Sequence, residues 1–497
     1  MKKVVLILLA VPFLLIGAKP IMAENEAGLQ EEIIYNILVD RYNNGDNTLN
    51  GQVSVDDPYA YHGGDIKGII DKLDEIQEHG FTAITLSPIM ENADNGYHGY
   101  WIEDYYNVEQ QFGTMEDVQT LVEEAHKRDM KVILEFVTNY VADSHEIISD
   151  PDKADWLKEN KLEIQEETKW LEHAAVLNQE NPAVREYLFD AAAFWINETD
   201  IDGFKLHAAD MASDEFLKKF TSSLKEINPD FYILADVMQD NQRIKELKNI
   251  PAIDAVDNQK VRKELNEVFD QSGQGLAPLN QHLEEKNNTL DLLSVDNKNT
   301  KRFSQAVAEN GRKASTVWQL ALTYMYTTPG VPSIYQGSEI PMYGEGVPES
   351  QMMVLFNSGE QDIPEFLGRI SSIRTEFPAL VHGDYEEVGS SGAMSVFKRT
   401  YKDETLYVAI NNDSESRSVS VTDIDSGLQL KGLLGDNLVR EKENGEFKIG
   451  IPRETAEIYV VEEDTGINWL FIAFILGVFF LFIFAVIYLS RKQKKRN

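Results

Sequence analysis

Cysteine is absent from all 497 residues. That excludes disulfides and a lipid-modified cysteine, yet it leaves the compartment open, because many secreted bacterial proteins also lack cysteine. No His/Cys spacing suits zinc, no glycine-rich loop cradles a nucleotide, and no Ser/His/Asp constellation is present. Basic residues are scarce. Lys and Arg number 46 against 83 Asp and Glu, a formal charge of −37. Such a surface argues against nucleic acid, whose phosphates attract basic patches, and otherwise does no more than solubilise. Internal repeats and low-complexity tracts are missing, and long apolar runs occur only at the two ends.

The first of these, MKKVVLILLAVPFLLIGAKPIMA, has a basic start, an apolar stretch and a small residue at Ala23, which is the pattern of a cleaved secretory leader over residues 1–23. The second, Asn468–Leu489, carries about as many apolar residues as a bilayer crossing needs, and the basic tail 490–497 follows it. The sequence therefore predicts a single-pass protein of the cell membrane, with its body outside the cytoplasm and its tail inside.

Between the ends, short β-rich runs (FTAITLSPI, MKVILEFV, DGFKLH, FYILADV, LLSV, PSIYQG) alternate with amphipathic helical stretches from Ile33 to about His382. This is the pattern of a (β/α)8 barrel, an α/β fold whose functional residues sit on loops after the strands. After Gly383 the pattern turns to strict alternation broken by turns, as in a small antiparallel β domain.

Several motifs occur in a telling order: IIYNILVDRYNNGDN, YHGGDIKGIIDKL, GYHGYWIEDYYNVEQQFGT, LNQENPAVREYL, IDGFKLHA, YILADV, LSVDNKNTKRF and TTPGVPSIYQGSEI. Together they resemble the α-amylase family of glycoside hydrolases over roughly Ile33 to Glu462. The resemblance implies a barrel over 24–382, a shortened B domain inserted at 141–178, and a C-terminal β domain over 383–462.

The family retains anomeric configuration, which needs a carboxylate nucleophile and a carboxylic acid about 5–5.5 Å apart. At the positions that match its signature, this chain has other residues. The nucleophile position is His207 and its orienting arginine is Lys205; the acid/base glutamate is Asp236; a histidine and the third carboxylate are Lys298 and Asn299; an aspartate and a histidine are Glu135 and Tyr140. A registration slip to Asp210 would need a three-residue shift, which also turns the side chain to the other face of a strand. Counted this way, only Asp236 keeps a carboxylate among the three that do chemistry, so the sequence predicts an inactive body that acts by binding carbohydrate or protein. The alternatives are an active α-1,4-glucan hydrolase with an altered site, and a structural partner of a membrane protein, on the analogy of transporter subunits with amylase-like ectodomains.

Tyr97, His98, Tyr100 and Trp101 match the family's sugar-site motif, in which Tyr100 would stack on a ring and His98 would donate to a hydroxyl; packing of the loop is the plainer reading. His207 and Lys298 could attract an anion, though a satisfied core histidine is commoner. The loop DRYNNGDNTLN resembles a family calcium site, with oxygens from Asn44, Asp46, Asn50, Gly63 and Asp65, while Leu49 departs from the pattern and a plain Asn/Gly turn is the other reading. Asn139 matches a second calcium site, where Val176 replaces an aspartate.

Overall fold

The computed structural model describes residues 28–159, 172–238, 241–283, 289–359, 362–464, 466 and 469–494. Eight parallel strands close into a barrel: β1 (Ile34–Ile37), β2 (Ala83–Leu86), β3 (Lys131–Val137), β4 (Gly203–His207), β5 (Tyr232–Asp236), β6 (Ala255–Asp257), β7 (Leu290–Leu293) and β8 (Val331–Tyr335). Each strand pairs with its sequence neighbours and β8 returns to β1. Strands buried on both faces read as near-continuous apolar runs, and KVILEFV is such a run after its leading Lys131; the other charged residue, Glu135, is only 2% exposed.

Register sets the site. Glu135 pairs with Lys205 and Val137 with His207 across β3 and β4, while Asp236 pairs with Asp257 across β5 and β6. Residues two apart share a face, so Lys205 and His207 both turn into the barrel mouth at the strand C-terminal ends. The outer helices are fixed by local signals. Met115–His126 begins with a capping box between Thr114 and Asp117, and Asp214–Ile227 buries Phe216, Leu217, Phe220, Thr221 and Leu224 along one stripe.

Beyond the barrel, six antiparallel strands form a sheet in the order 384–391, 394–401, 404–411, 455–463, 428–432, 438–440, and a two-stranded ribbon pairs 417–421 with 447–451. This is the expected C-terminal β domain. Arg399, on the strand Met394–Tyr401, fastens it to the barrel: the buried guanidinium donates to the carbonyls of Thr327, Leu380 and Gly383. Arg374 does the same nearby with the carbonyls of Tyr326, Leu380, Gln30 and Gly330.

The leader-like segment 1–23 lies outside the described residues. The expected membrane span over Asn468–Leu489 is corrected by the structure. The backbone is helical over Trp469–Lys494, but among the described residues no helix is long and apolar enough to cross a membrane.

Another buried acid holds its proton tightly. Glu339, on the loop after β8, accepts from the Tyr35 hydroxyl at 2.9 Å, and its Oε2 finds no donor among the described residues. Burial pushes its carboxyl up to about 7. A raised folded value means that the folded state holds the proton more tightly. The stabilisation is complete below about 4.5 and is lost as pH rises towards 7. Glu339→Gln is therefore expected to stabilise the protein at pH 8 by on the order of 2–4 kcal/mol, read as a higher Tm, and to leave Tm nearly unchanged at pH 4.5. A wild-type Tm that stays flat across that window would refute the assignment.

Candidate active site

Seven side chains at the barrel mouth alternate in sign. Lys298 Nζ lies 2.6 Å from Glu135 Oε2; Glu135 Oε1 is 2.8 Å from His207 Nδ1; the same Nδ1 is 3.1 Å from Asp236 Oδ2. Asp236 feels the charge of Lys205, whose Nζ lies 3.5 Å from Asp257, and Arg262 closes the row on Asp257. All but Lys298 are buried.

Burying ionisable groups is costly unless each charge meets its opposite. Here each does. For Glu135, burial acts to raise the carboxyl, but the Lys298 ammonium and the His207 imidazole more than offset that and hold it down to about 2. Asp236 follows the same logic, with burial opposed by Lys205 and His207, and is held well below the usual carboxylate range. Burial would lower His207, yet its bonds to Asp236 and Glu135 raise it above the ordinary value. Both carboxylates are therefore ionised near neutrality, and His207 is the proton carrier between them.

The contacting atoms of Glu135, His207 and Asp236 all lie within 4.8 Å of one another. Two carboxylates and an imidazole could ligate a metal ion, but Lys298 and Lys205 already neutralise those carboxylates, so we assign none. A cavity of about 40 Å³ opens beside them, lined in part by Lys205, Asp257, Asp296, Lys298 and Asn299. That is room for a few waters. A glucosyl ring needs side chains to move aside.

The aromatic motif lies against this cluster. Tyr100 donates its hydroxyl to Glu135 at 2.8 Å, and its ring stacks on His207 at 4.3 Å, so one face is covered by imidazole. His98 is buried, accepts from the Tyr100 backbone N–H, and is pushed down to about 3 by burial. Tyr97 donates to Gln351 at 2.8 Å beneath the Arg41 guanidinium. Trp101, half-buried, meets His98 and His173 edge-on. Tyr140 is fully buried and stands edge-on to His207 at 5.9 Å. Asn299 is half-buried, and its N–H donates to Asn297.

The site also holds residues that the sequence did not single out: Asp257 and Arg262, which extend the charge row, and Ser350 and Gln351, which both donate to the Lys298 carbonyl at 2.7 and 3.1 Å. The pair Asp257 and Arg262, at either end of a short strand-to-helix step, was the available signal.

In the first calcium-like loop, Asp65 accepts backbone N–H groups from Gly45, Asp46 and Gly68, and Asp46 carries the Lys67 ammonium. Asn44 Nδ2 donates to Asn50 Oδ1 at 3.0 Å, while Asn44 Oδ1 is buried with no donor among the described residues. Gly63 closes over both; a Cβ there would lie 2.6 Å from Asn44 Nδ2 and 2.9 Å from Asn50 Oδ1. At the second loop, Asn139 donates directly to the carbonyls of His207 and Ala208 and accepts from Gln179, so amides bridge the groups a cation would join.

Comparison with known proteins agrees with this architecture. The family profile "Alpha amylase, catalytic domain" matches residues 36–174 and 154–369, and "Alpha-amylase C-terminal domain" matches 383–459. The cyclomaltodextrinase of Thermoanaerobacter pseudethanolicus is 28% identical over 425 residues, covering 79% of this chain and 72% of that protein. Among solved structures, an Anoxybacillus α-amylase superposes with a TM-score of 0.84 at 40% identity, over 89% of this chain and 100% of that one. The Geobacillus thermoleovorans α-amylase, complexed with acarbose, gives 0.82 at 39%, over 88% and 100%. These likenesses overturn the expectation of a membrane-anchored body without hydrolytic function, since the relatives carry the names of glucan-acting enzymes and no described helix is long and apolar enough to cross a membrane. The physical reason for the error lies at Glu135. The expectation counted a single carboxylate, and a second one reaches the site from β3.

Proposed function

Since this chain belongs to the α-amylase family of glycoside hydrolases, we propose that it hydrolyses α-1,4-glucans and short maltodextrins through an altered site at Asp236, His207 and Glu135. In this reading His207, Asp236 and Asn299 stand where the family carries its three carboxylates. The observation that carries the proposal is the meeting of two carboxylates on one buried imidazole, with contacting atoms within 4.8 Å.

Asp236 is the more accessible carboxylate, with 12% of its side chain exposed against 2% for Glu135. It attacks the anomeric carbon as the glycosidic C–O bond breaks, and the leaving oxygen takes the proton that His207 holds. Water then attacks the same carbon, its proton returns to His207, and Asp236 is freed. Glu135 acts through His207, keeping the imidazole charged and oriented. Of the three, His207 is the group whose partners raise it above its ordinary value, and so the one placed to give a proton.

The test is release of reducing ends from maltoheptaose and β-cyclodextrin by the full chain, alongside Asp236→Asn. Release by the wild type that falls to background in the variant is expected. No release over a long incubation, or equal release by both, would sink the reading.

We also propose structural calcium in the Asn44–Asn50 loop. The unpartnered Asn44 Oδ1, with Asn50, Asp46 and the Gly63 backbone beside it, suits a hard cation that prefers oxygen ligands; Asp65, its oxygens taken by backbone N–H groups, would support the loop. Lys67 must release Asp46 for it to bind. Millimolar calcium is expected to raise Tm relative to EDTA, and more so in Lys67→Met. Equal Tm in both solutions would remove the ion.

A further inference from the structure

Lys298, on the loop after β7, reaches into the barrel mouth. Its ammonium lies 2.6 Å from Glu135 and 5.0 Å over the Tyr100 ring, inside the rim of the small cavity that Asp236 lines. A retaining glycosidase builds an anionic, aromatic-faced hole because the transition state is oxocarbenium-like. Here a tethered cation fills that hole. Its backbone is clamped too, since Ser350 and Gln351, from the loop after β8, both hold the Lys298 carbonyl.

We propose that Lys298 is an intramolecular competitor: its ammonium occupies the subsite for the glucosyl unit, so a ligand enters only by displacing it, and cationic glucose analogues are the ligand class that does so best. The inference rests on the hydrolytic reading above for the identity of the subsite. It goes beyond that reading because it makes a residue of the chain itself the factor that limits access. Three features support the displacement. Glu135 keeps two partners, His207 and Tyr100, when Lys298 leaves. The lysine side chain is 14% exposed, so a path to solvent exists. Losing the stem enlarges a cavity that now holds only about 40 Å³.

The probes are 1-deoxynojirimycin, a cationic glucose-shaped amine, and n-propylammonium, which replaces the atoms that Lys298→Ala removes. Calorimetric titration of the full chain should show Lys298→Ala binding 1-deoxynojirimycin about tenfold or more tighter than the wild type, the scale of a charged hydrogen bond no longer competed for. In the same variant, n-propylammonium should raise Tm and compete with the analogue, and it should do neither in the wild type. If the alanine variant does not fold, Lys298→Met keeps the stem without the charge and should still bind the amine more tightly than the wild type. Equal affinity in wild type and variant, or indifference of the variant to n-propylammonium, overturns the proposal. A maltoheptaose assay run in parallel separates the two readings. Tight binding without turnover leaves this inference standing and removes hydrolysis, whereas turnover with unchanged binding does the reverse.

Discussion

Replacing Glu135 by alanine is expected to cost the protein about 3–5 kcal/mol, the usual penalty for removing one member of a buried ion pair, and to lower any hydrolysis by on the order of 10³-fold or more. The carboxylate meets Lys298, His207 and the Tyr100 hydroxyl at once. Without it, His207 and Lys298 face Asp236 alone. The conservative Glu135→Gln keeps the volume and separates charge from packing. Its signature is a pH profile. Glu135 has a depressed folded value, near 2, so its stabilisation is present above the unfolded value of about 4.5 and disappears as pH falls towards 2. His207 has a raised folded value, so its contribution is complete below about 6.5 and disappears as pH climbs through the folded value. Wild-type Tm, followed from pH 3 to 9, should therefore fall at both ends, and Glu135→Gln should flatten both flanks. A variant whose profile parallels that of the wild type would show that the row does not act as a unit.

Arg399→Met should be the most damaging change outside the site. The guanidinium is fully buried and donates to the carbonyls of Thr327, Leu380 and Gly383. Burial pulls it down to about 9, with the neighbouring Arg374 acting the same way. Each carbonyl left without a donor costs about 1–3 kcal/mol, and relief of the buried charge returns part of that, so the net loss is on the order of 3 kcal/mol. Since the bonds join barrel and β domain, the variant should also become sensitive to limited proteolysis near Gly383 before the barrel melts. Arg399→Lys cannot reproduce the planar fork and is expected to rescue little. Wild-type resistance in Arg399→Met would mean that the sheet is held by apolar packing instead.

Most of the barrel could be read in the chain because its strands are apolar runs that end at loops. The exception was β6, Ala255–Asp257. At three residues it shows no periodicity, and it carries Asp257, so both the strand and its place in the charge row went unread. The β domain was legible through alternation, as in Met394–Tyr401, where inward apolar residues fill a core with Tyr407 and Ile449. Glu135 failed differently. Its position was identified, but a linear pattern treats a longer acid as a lost aspartate, whereas in space the carboxylate lies 2.8 Å from His207 Nδ1. The ending of the chain misled in the opposite sense, since counting apolar letters over Asn468–Leu489 implied a crossing that no described helix supplies.

The alternating row also constrains how this protein can change over generations. Placing an aspartate at position 207 would set a third acid beside Glu135 and Asp236 and strip both of their shared cation, whereas exchanging Lys205 or Lys298 alone would leave Glu135, Asp236 and Asp257 each with a cationic partner. At position 207 a new acid is therefore tolerable chiefly when a neighbouring carboxylate is exchanged with it. A single exchange there is penalised by the charges around it, whatever its own merit.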